Sequence, residues 1–167
     1  MITIELAEQS DIRSISNMAH IIWPVTYGEI LSQDQIDFML EKSYTIEGLA
    51  ESMVNGQFFY ILKEDGIGQG FIALRTLEDR VRIEKLYLMP NVQGKGFGKA
   101  LIDFASEKTR LKGKGILLEL NVNRNNPAYH FYLKQGFEVI ETIDIPYYDY
   151  VLNDYVMQKE VKASDVS

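Results

Sequence analysis

Apolar positions in the first part of the chain recur at two different spacings. Residues 1–7 alternate Ile2, Ile4 and Leu6 with polar neighbours, the period of a strand with one buried face. Ser10 and Asp11 suit a helix start, and Ile12, Ile15, Met18, Ala19 and Ile22 then recur at three and four residues. Pro24 should end or kink that helix, because it lacks a donor and its ring crowds the preceding turn. Ile36, Met39 and Leu40 predict a second helix from about Ser32. Leu49 and Met53 predict a third that stops near Asn55-Gly56.

Strand character follows. Residues 58–63 are aromatic and β-branched, Glu64-Asp65-Gly66 is a turn signal, and residues 70–76 read as the return strand. A third strand, 81–89, completes an antiparallel meander. After Pro90 the pattern changes to alternating helix and strand. Phe97, Leu101, Phe104, Ala105 and Leu111 predict one helix face ending near Gly113, and residues 115–122 are nearly continuously apolar, as in a strand buried on both sides. A short helix is expected at 127–134 before Gly136, then strands at 137–145 and 154–161 and a frayed tail at 162–167. The order implies one mixed α/β (α+β) domain over residues 1–161. Its single, mostly antiparallel sheet should have about seven strands, with helices on both faces.

Composition narrows the class. The 167 residues include no cysteine, enough chain for a core without disulfides. No apolar run reaches the ~20 residues of a bilayer span, and the first eight residues carry Glu5 and Glu8 but no basic residue. The cytoplasm is the expected compartment. A net charge of −7 disfavours nucleic acid and anionic membranes as partners, and it suits either a cationic substrate or plain solubility. Two isolated histidines do not make a metal site, and no metal is expected.

The strongest local signal is Leu86-Tyr87-Leu88-Met89-Pro90-Asn91-Val92-Gln93-Gly94-Lys95-Gly96-Phe97-Gly98-Lys99, where a strand enters a glycine-rich turn that opens a helix. Residues without side chains let an anion approach the backbone, and the first helical turn offers unpaired N–H groups and a positive dipole end. Lys95 and Lys99 add positive charge, so the chemistry is that of a diphosphate site. The spacing is not that of a Walker loop. Nor is it the dinucleotide fingerprint, because Lys99 and Ala100 stand where the third glycine belongs.

Pro90 followed by Gln93-x-x-Gly96-x-Gly98 resembles the acetyl-CoA loop of the GNAT acetyltransferase superfamily. A second motif, Asn125-Asn126-Pro127-Ala128-Tyr129-His130-Phe131-Tyr132 before Gly136-Phe137, falls where that family has one. The resemblance runs from about residue 57 to 137, and more weakly beyond. It implies acetyl-CoA as co-substrate, held by Gln93, Gly94, Lys95, Gly96, Phe97, Gly98, Lys99 and Asn125. It also implies a splayed sheet in which the backbone at Leu86 and Leu88 binds the pantetheine arm, one N–H polarising the thioester carbonyl. The apolar phase agrees, since Val81 and Ile83 are odd-numbered whereas Leu86 and Leu88 are even, a slip that a bulge near Glu84-Lys85 would produce. An irregular strand buried on both faces would show the same slip.

The resemblance further implies direct acetyl transfer to a primary amine in a ternary complex. An alkyl amine titrates near ~10, so a base or water chain must take its proton, and Glu84 is the candidate. A solvated glutamate paired with Arg82 or Lys85 is the alternative. Tyr132 is the candidate acid for the leaving thiolate. Asn125 could cap the following helix instead of binding cofactor. Trp23, Tyr27 and Tyr148 are candidate acceptor contacts, offering π-faces to a cation, although Trp23 also suits an ordinary core. The acceptor is expected to be a small amine, a polyamine or a peptide amine, and homodimerisation is left open. A CoA-binding sensor without turnover and a phosphate-binding module are the competing functions.

Overall fold

The computed structural model describes residues 1–161, and the tail expected at 162–167 lies outside them. Its elements run β1 (Ile2–Leu6), α1 (Ile12–Tyr27), α2 (Gln33–Ser43), α3 (Ile46–Val54), β2 (Phe58–Glu64), β3 (Ile67–Thr76), β4 (Arg80–Leu88), α4 (Phe97–Lys112), β5 (Leu117–Asn123), α5 (Ala128–Lys134), β6 (Glu138–Tyr147) and β7 (Tyr150–Glu160). The strands form one sheet in the order β1-β2-β3-β4-β5-β7-β6. β4 and β5 pair in parallel because α4 supplies the crossover between them. The chain divides into two compact units, one of Met1–Arg75 with Lys85–Leu101, the other of Thr76–Glu84 with the chain from Ile102.

In the first unit, α1 to α3 bury one face each. Ser32 caps α2 by accepting from the Gln35 N–H at 3.1 Å, and Thr45 caps α3 through the Gly48 N–H at 3.0 Å. Two expectations change here. Asp11 does not cap α1 with its side chain. It accepts from the Glu8 N–H at 2.8 Å, one short turn upstream, in a reciprocal capping box with Glu8. Pro24 does not end α1, which continues to Tyr27. The residues beyond it, including buried Tyr27, are held by packing that outweighs one missing backbone bond. β2 and β3 meet at Asp65-Gly66, both at positive φ (50° and 83°), the hairpin turn the sequence signalled. Their register shifts after Leu62, which pairs with Gly70, whereas Lys63 pairs with Gly68. Gln69 is therefore the extra residue, and its carbonyl accepts the Met89 N–H at 2.8 Å.

In the second unit, Arg80–Ile83 of β4 pair with Leu117–Leu120 of β5, and β5 pairs with β7 over its whole length. Buried Ile102, Ala105, Ser106 and Thr109 mark the inner face of α4. The expected Leu111 is 66% exposed instead, and Thr109 takes the inner position, its hydroxyl donating to the Ala105 carbonyl at 2.8 Å. β5 is not continuously apolar, since Glu119 is only 3% exposed. β7 begins at Tyr150 rather than at 154.

Candidate functional site

The glycine loop lies in the first unit. Gln93 is extended, Gly94 (φ 83°) and Gly96 (φ 81°) are left-handed, and Lys95 between them is not. Alternation of that kind turns successive N–H groups toward one side, a concavity that accepts an anion. A Cβ at Gly94 or Gly96 would meet nothing within 4 Å, so the space beside both backbones is open. The first intrahelical bond runs from the Ala100 N–H to the Gly96 carbonyl at 3.1 Å. The N–H groups of Phe97 and Gly98 thus lie in the first turn of α4, ahead of that bond. Phe97 is buried and anchors that turn, while Gln93, Lys95 and Lys99 are exposed. Lys95 Nζ lies 3.3 Å from Glu64 Oε1.

The strand before the loop changes character after Ile83. Val81 and Ile83 are buried, Glu84 is exposed, and every residue from Lys85 to Leu88 is half-buried, so inward–outward alternation breaks where the sequence phase slips. The Met89 N–H is directed at β3 through Gln69. Along a strand, alternate amides face opposite edges, so the Leu88 and Leu86 N–H groups face the other edge of β4.

On the inner side of this segment sits an aromatic cluster. Trp23 is its hub, with ring centroids 4.4 Å from Tyr27 and 5.8 Å from both Tyr44 and Tyr87. The Tyr27 and Tyr87 hydroxyls are 2.9 Å apart. Trp23 is 5% exposed and Tyr27 8%, so their faces are occupied by one another and by the core. Burial pushes the Tyr44 phenol well above its ordinary range. Lys85, which sequence reasoning passed over, extends between the Tyr44 and Phe59 rings at 5.5 and 5.7 Å and donates to Gln57 Oε1 at 3.3 Å.

The second unit carries the other expected groups. Tyr132 is buried on α5, its ring 5.8 Å from Phe137 and 5.4 Å from Phe131. Asn125 is exposed and is not the cap of α5. The neighbouring Asn126 side chain accepts the Ala128 N–H at 3.0 Å. Tyr148 lies at the β6–β7 turn, 63% exposed and at φ 55°. Glu119 accepts from Arg82 at 2.8 Å, Arg80 at 3.3 Å and Gln158 at 2.6 Å. Arg82 also donates to Asn121, which donates to Asp154 at 3.2 Å. Burial holds the Asp154 carboxyl above its ordinary range, against donation from Asn121 and the charges of Arg124 and Arg82. Among the described residues no cluster of three or more His, Asp or Glu side chains could hold a metal ion, and no helix is long and apolar enough to cross a membrane.

A family model described as an acetyltransferase (GNAT) domain matches residues 55–139. The spermidine N(1)-acetyltransferase of Thermoplasma acidophilum is 30% identical, over 96% of this chain and 99% of its own. The crystal structure of the PaiA N-acetyltransferase from Thermoplasma acidophilum, in complex with coenzyme A, is similar with a TM-score of 0.82 and 28% identity, covering 96% of this chain and 99% of the other. Arabidopsis thaliana Naa50, in complex with the bisubstrate analogue CoA-Ac-MVNAL, is alike in fold, with a TM-score of 0.69 at 24% identity over 95% of this chain and 98% of its own.

Proposed function

This chain belongs to the GNAT acetyltransferases and is an N-acetyltransferase that uses acetyl-CoA; from that premise we propose direct transfer of the acetyl group to a primary amine in a ternary complex. The whole of residues 1–161 acts as one catalytic domain in this reading, because the three unit boundaries fall within elements, β3, β4 and α4, rather than in a linker.

The observation that carries the proposal is the pair of left-handed glycines with open space beside them at the start of α4. The residues fit a diphosphate: the loop opens onto a helix N-terminus, no Cβ intrudes, and Lys95 and Lys99 supply charge. Acetyl-CoA brings the activated thioester. The backbone N–H groups of Leu86 and Leu88, on the edge of β4 away from β3, hold the pantetheine arm. One of them stabilises the oxygen on which negative charge develops. Gln93, Gly94, Gly96, Phe97 and Gly98 cradle the diphosphate, and Asn125, relieved of capping, binds the same cofactor.

Glu84 takes the amine proton through water, which its exposed position at the end of the buried alternation permits. Tyr132 donates to the leaving thiolate. Its phenol is the right group, because a thiol near ~8.5 leaves tolerably and needs only a weak acid. For the acceptor we propose a polycationic amine. The relative named above acts on spermidine, and the net charge of −7 attracts such substrates. Tyr148 is the exposed aromatic at hand for it. Tyr27 would contribute its hydroxyl, and Trp23 supports Tyr27 from within the core.

Thiol release from acetyl-CoA, followed across spermidine, small monoamines and basic peptides, tests the function. Turnover fastest with spermidine is expected. Release with none of these amines would overturn it. Gly96→Val should remove CoA binding from a folded protein, because a β-branched residue resists φ 81° and fills the open space. Unchanged affinity in calorimetry would show that the loop has been misassigned.

A further inference from the structure

Lys95 lies between the two left-handed glycines, yet its ammonium is turned back to the end of β2. Nζ is 3.3 Å from Glu64 Oε1 and 3.4 Å from Oε2, so the carboxylate engages it through both oxygens. Glu64 is held in place, since it pairs with Ile2 on one side and Ile67 on the other, immediately before the tight Asp65-Gly66 turn. Its side chain is less exposed than that of Lys95, 29% against 50%, so the lysine is the freer partner. Glu64 and Lys95 are 31 residues apart, and only the fold brings them together.

We propose that Glu64 is an internal competitor for the cofactor's diphosphate, occupying Lys95 until the diphosphate displaces it. The proposal rests on the assignment of the Gly94–Gly96 loop to the cofactor. A carboxylate and a diphosphate offer the same lysine the same kind of oxygen, and one ammonium has only three donors. When the diphosphate takes Lys95, Glu64 loses its ion pair and is left as a like charge near the incoming anion. Both effects weaken cofactor binding. The pair therefore sets the affinity below what the loop alone would give, which favours release of product CoA. An exposed ion pair is worth about 0.2–1 kcal/mol, so its release corresponds to roughly a 1.4- to fivefold change in affinity.

The experiment is calorimetric titration of CoA and of acetyl-pantetheine, which lacks the diphosphate, into wild type, Glu64→Gln, Lys95→Ala and the double variant at low ionic strength. Glu64→Gln should tighten CoA binding about 1.4- to fivefold and leave acetyl-pantetheine unchanged. Lys95→Ala should weaken CoA binding, and in that background Glu64→Gln should gain less than in wild type, because only the like-charge effect remains. Raising salt should shrink the Glu64→Gln gain, as screening requires. A loss in Lys95→Ala with no gain, or with a loss, in Glu64→Gln overturns the competition alone. An equal gain in the Lys95→Ala background makes Glu64 a simple field effect and also overturns it. Unchanged CoA affinity in Lys95→Ala removes Lys95 from the cofactor loop and the competition with it.

Discussion

The two units hold themselves together by opposite means. In the first, Trp23, Tyr27, Tyr44, Phe59 and Phe71 form a buried aromatic core, and Lys85 beside it is held by rings and an amide. In the second, a carboxylate buried in the sheet collects two arginines and an amide, and the polar chain continues through Asn121 to Asp154. An aromatic core tolerates a change that keeps its volume, such as the loss of one hydroxyl, at modest cost. An ionic network fails abruptly, because removing the shared carboxylate strands every partner at once.

The most severe test of that contrast is Glu119→Ala. Urea unfolding should show a loss of about 3 kcal/mol, the low end for breaking a buried ion pair, because Arg80 and Arg82 keep some access to water. A cost below ~1 kcal/mol would place Glu119 among ordinary surface pairs.

The same single-oxygen deletion, applied to each unit, sharpens the comparison. Tyr132→Phe should slow thiol release about a hundredfold, or ~2.7 kcal/mol of barrier, mainly in kcat. Its stability should fall by no more than about 1 kcal/mol. Tyr87→Phe should do the reverse. It removes the 2.9 Å bond to the buried Tyr27 hydroxyl, costing about 1 kcal/mol in unfolding experiments with kcat within about twofold. Wild-type turnover in the Tyr132 variant would make that residue a packing group against Phe137.

The smallest effect belongs to Asp154→Asn. The native carboxyl titrates above its unfolded value, so the folded state binds the proton more readily. Its contribution is fully present below the unfolded carboxylate range and is lost as pH climbs through the folded value. The variant should therefore be slightly more stable than wild type near neutrality and should lose that advantage toward acid. Parallel melting curves from pH 4 to 7.5 would expose a wrong sign.

Local signals in the chain were the ones a sequence could display. Ser32, Asn55-Gly56 and Asp65-Gly66 act within a few residues of themselves, and each bounds an element as expected. The glycine loop was legible for the same reason, since backbone freedom and helix start lie side by side. Glu119 was hidden inside an apolar run because its partners are 37 and 39 residues away on other strands. Glu64 escaped notice likewise, reading as one more turn residue. Of the two outcomes read at Pro24, an end or a kink, the end fails because its local cost is smaller than the packing of Trp23 and Tyr27 around it. Leu111 misled because hydrophobicity alone does not say which turn of a helix has run past the core.

Gly70 shows how narrowly one codon of such a gene is constrained. A single methyl there would sit 2.6 Å from the Tyr87 carbonyl oxygen and 2.6 Å from Leu88 Cδ2. The leucine tip could swing aside, but the carbonyl belongs to the strand itself. Alanine or serine could therefore enter only if β4 retreated, carrying with it the amides of Leu86 and Leu88. Mutational drift at this position is closed unless a second change arrives on the neighbouring strand. In a library built to alter acceptor choice, Gly70 is a place where diversity would be spent on molecules whose β4 strand has been pushed away from β3.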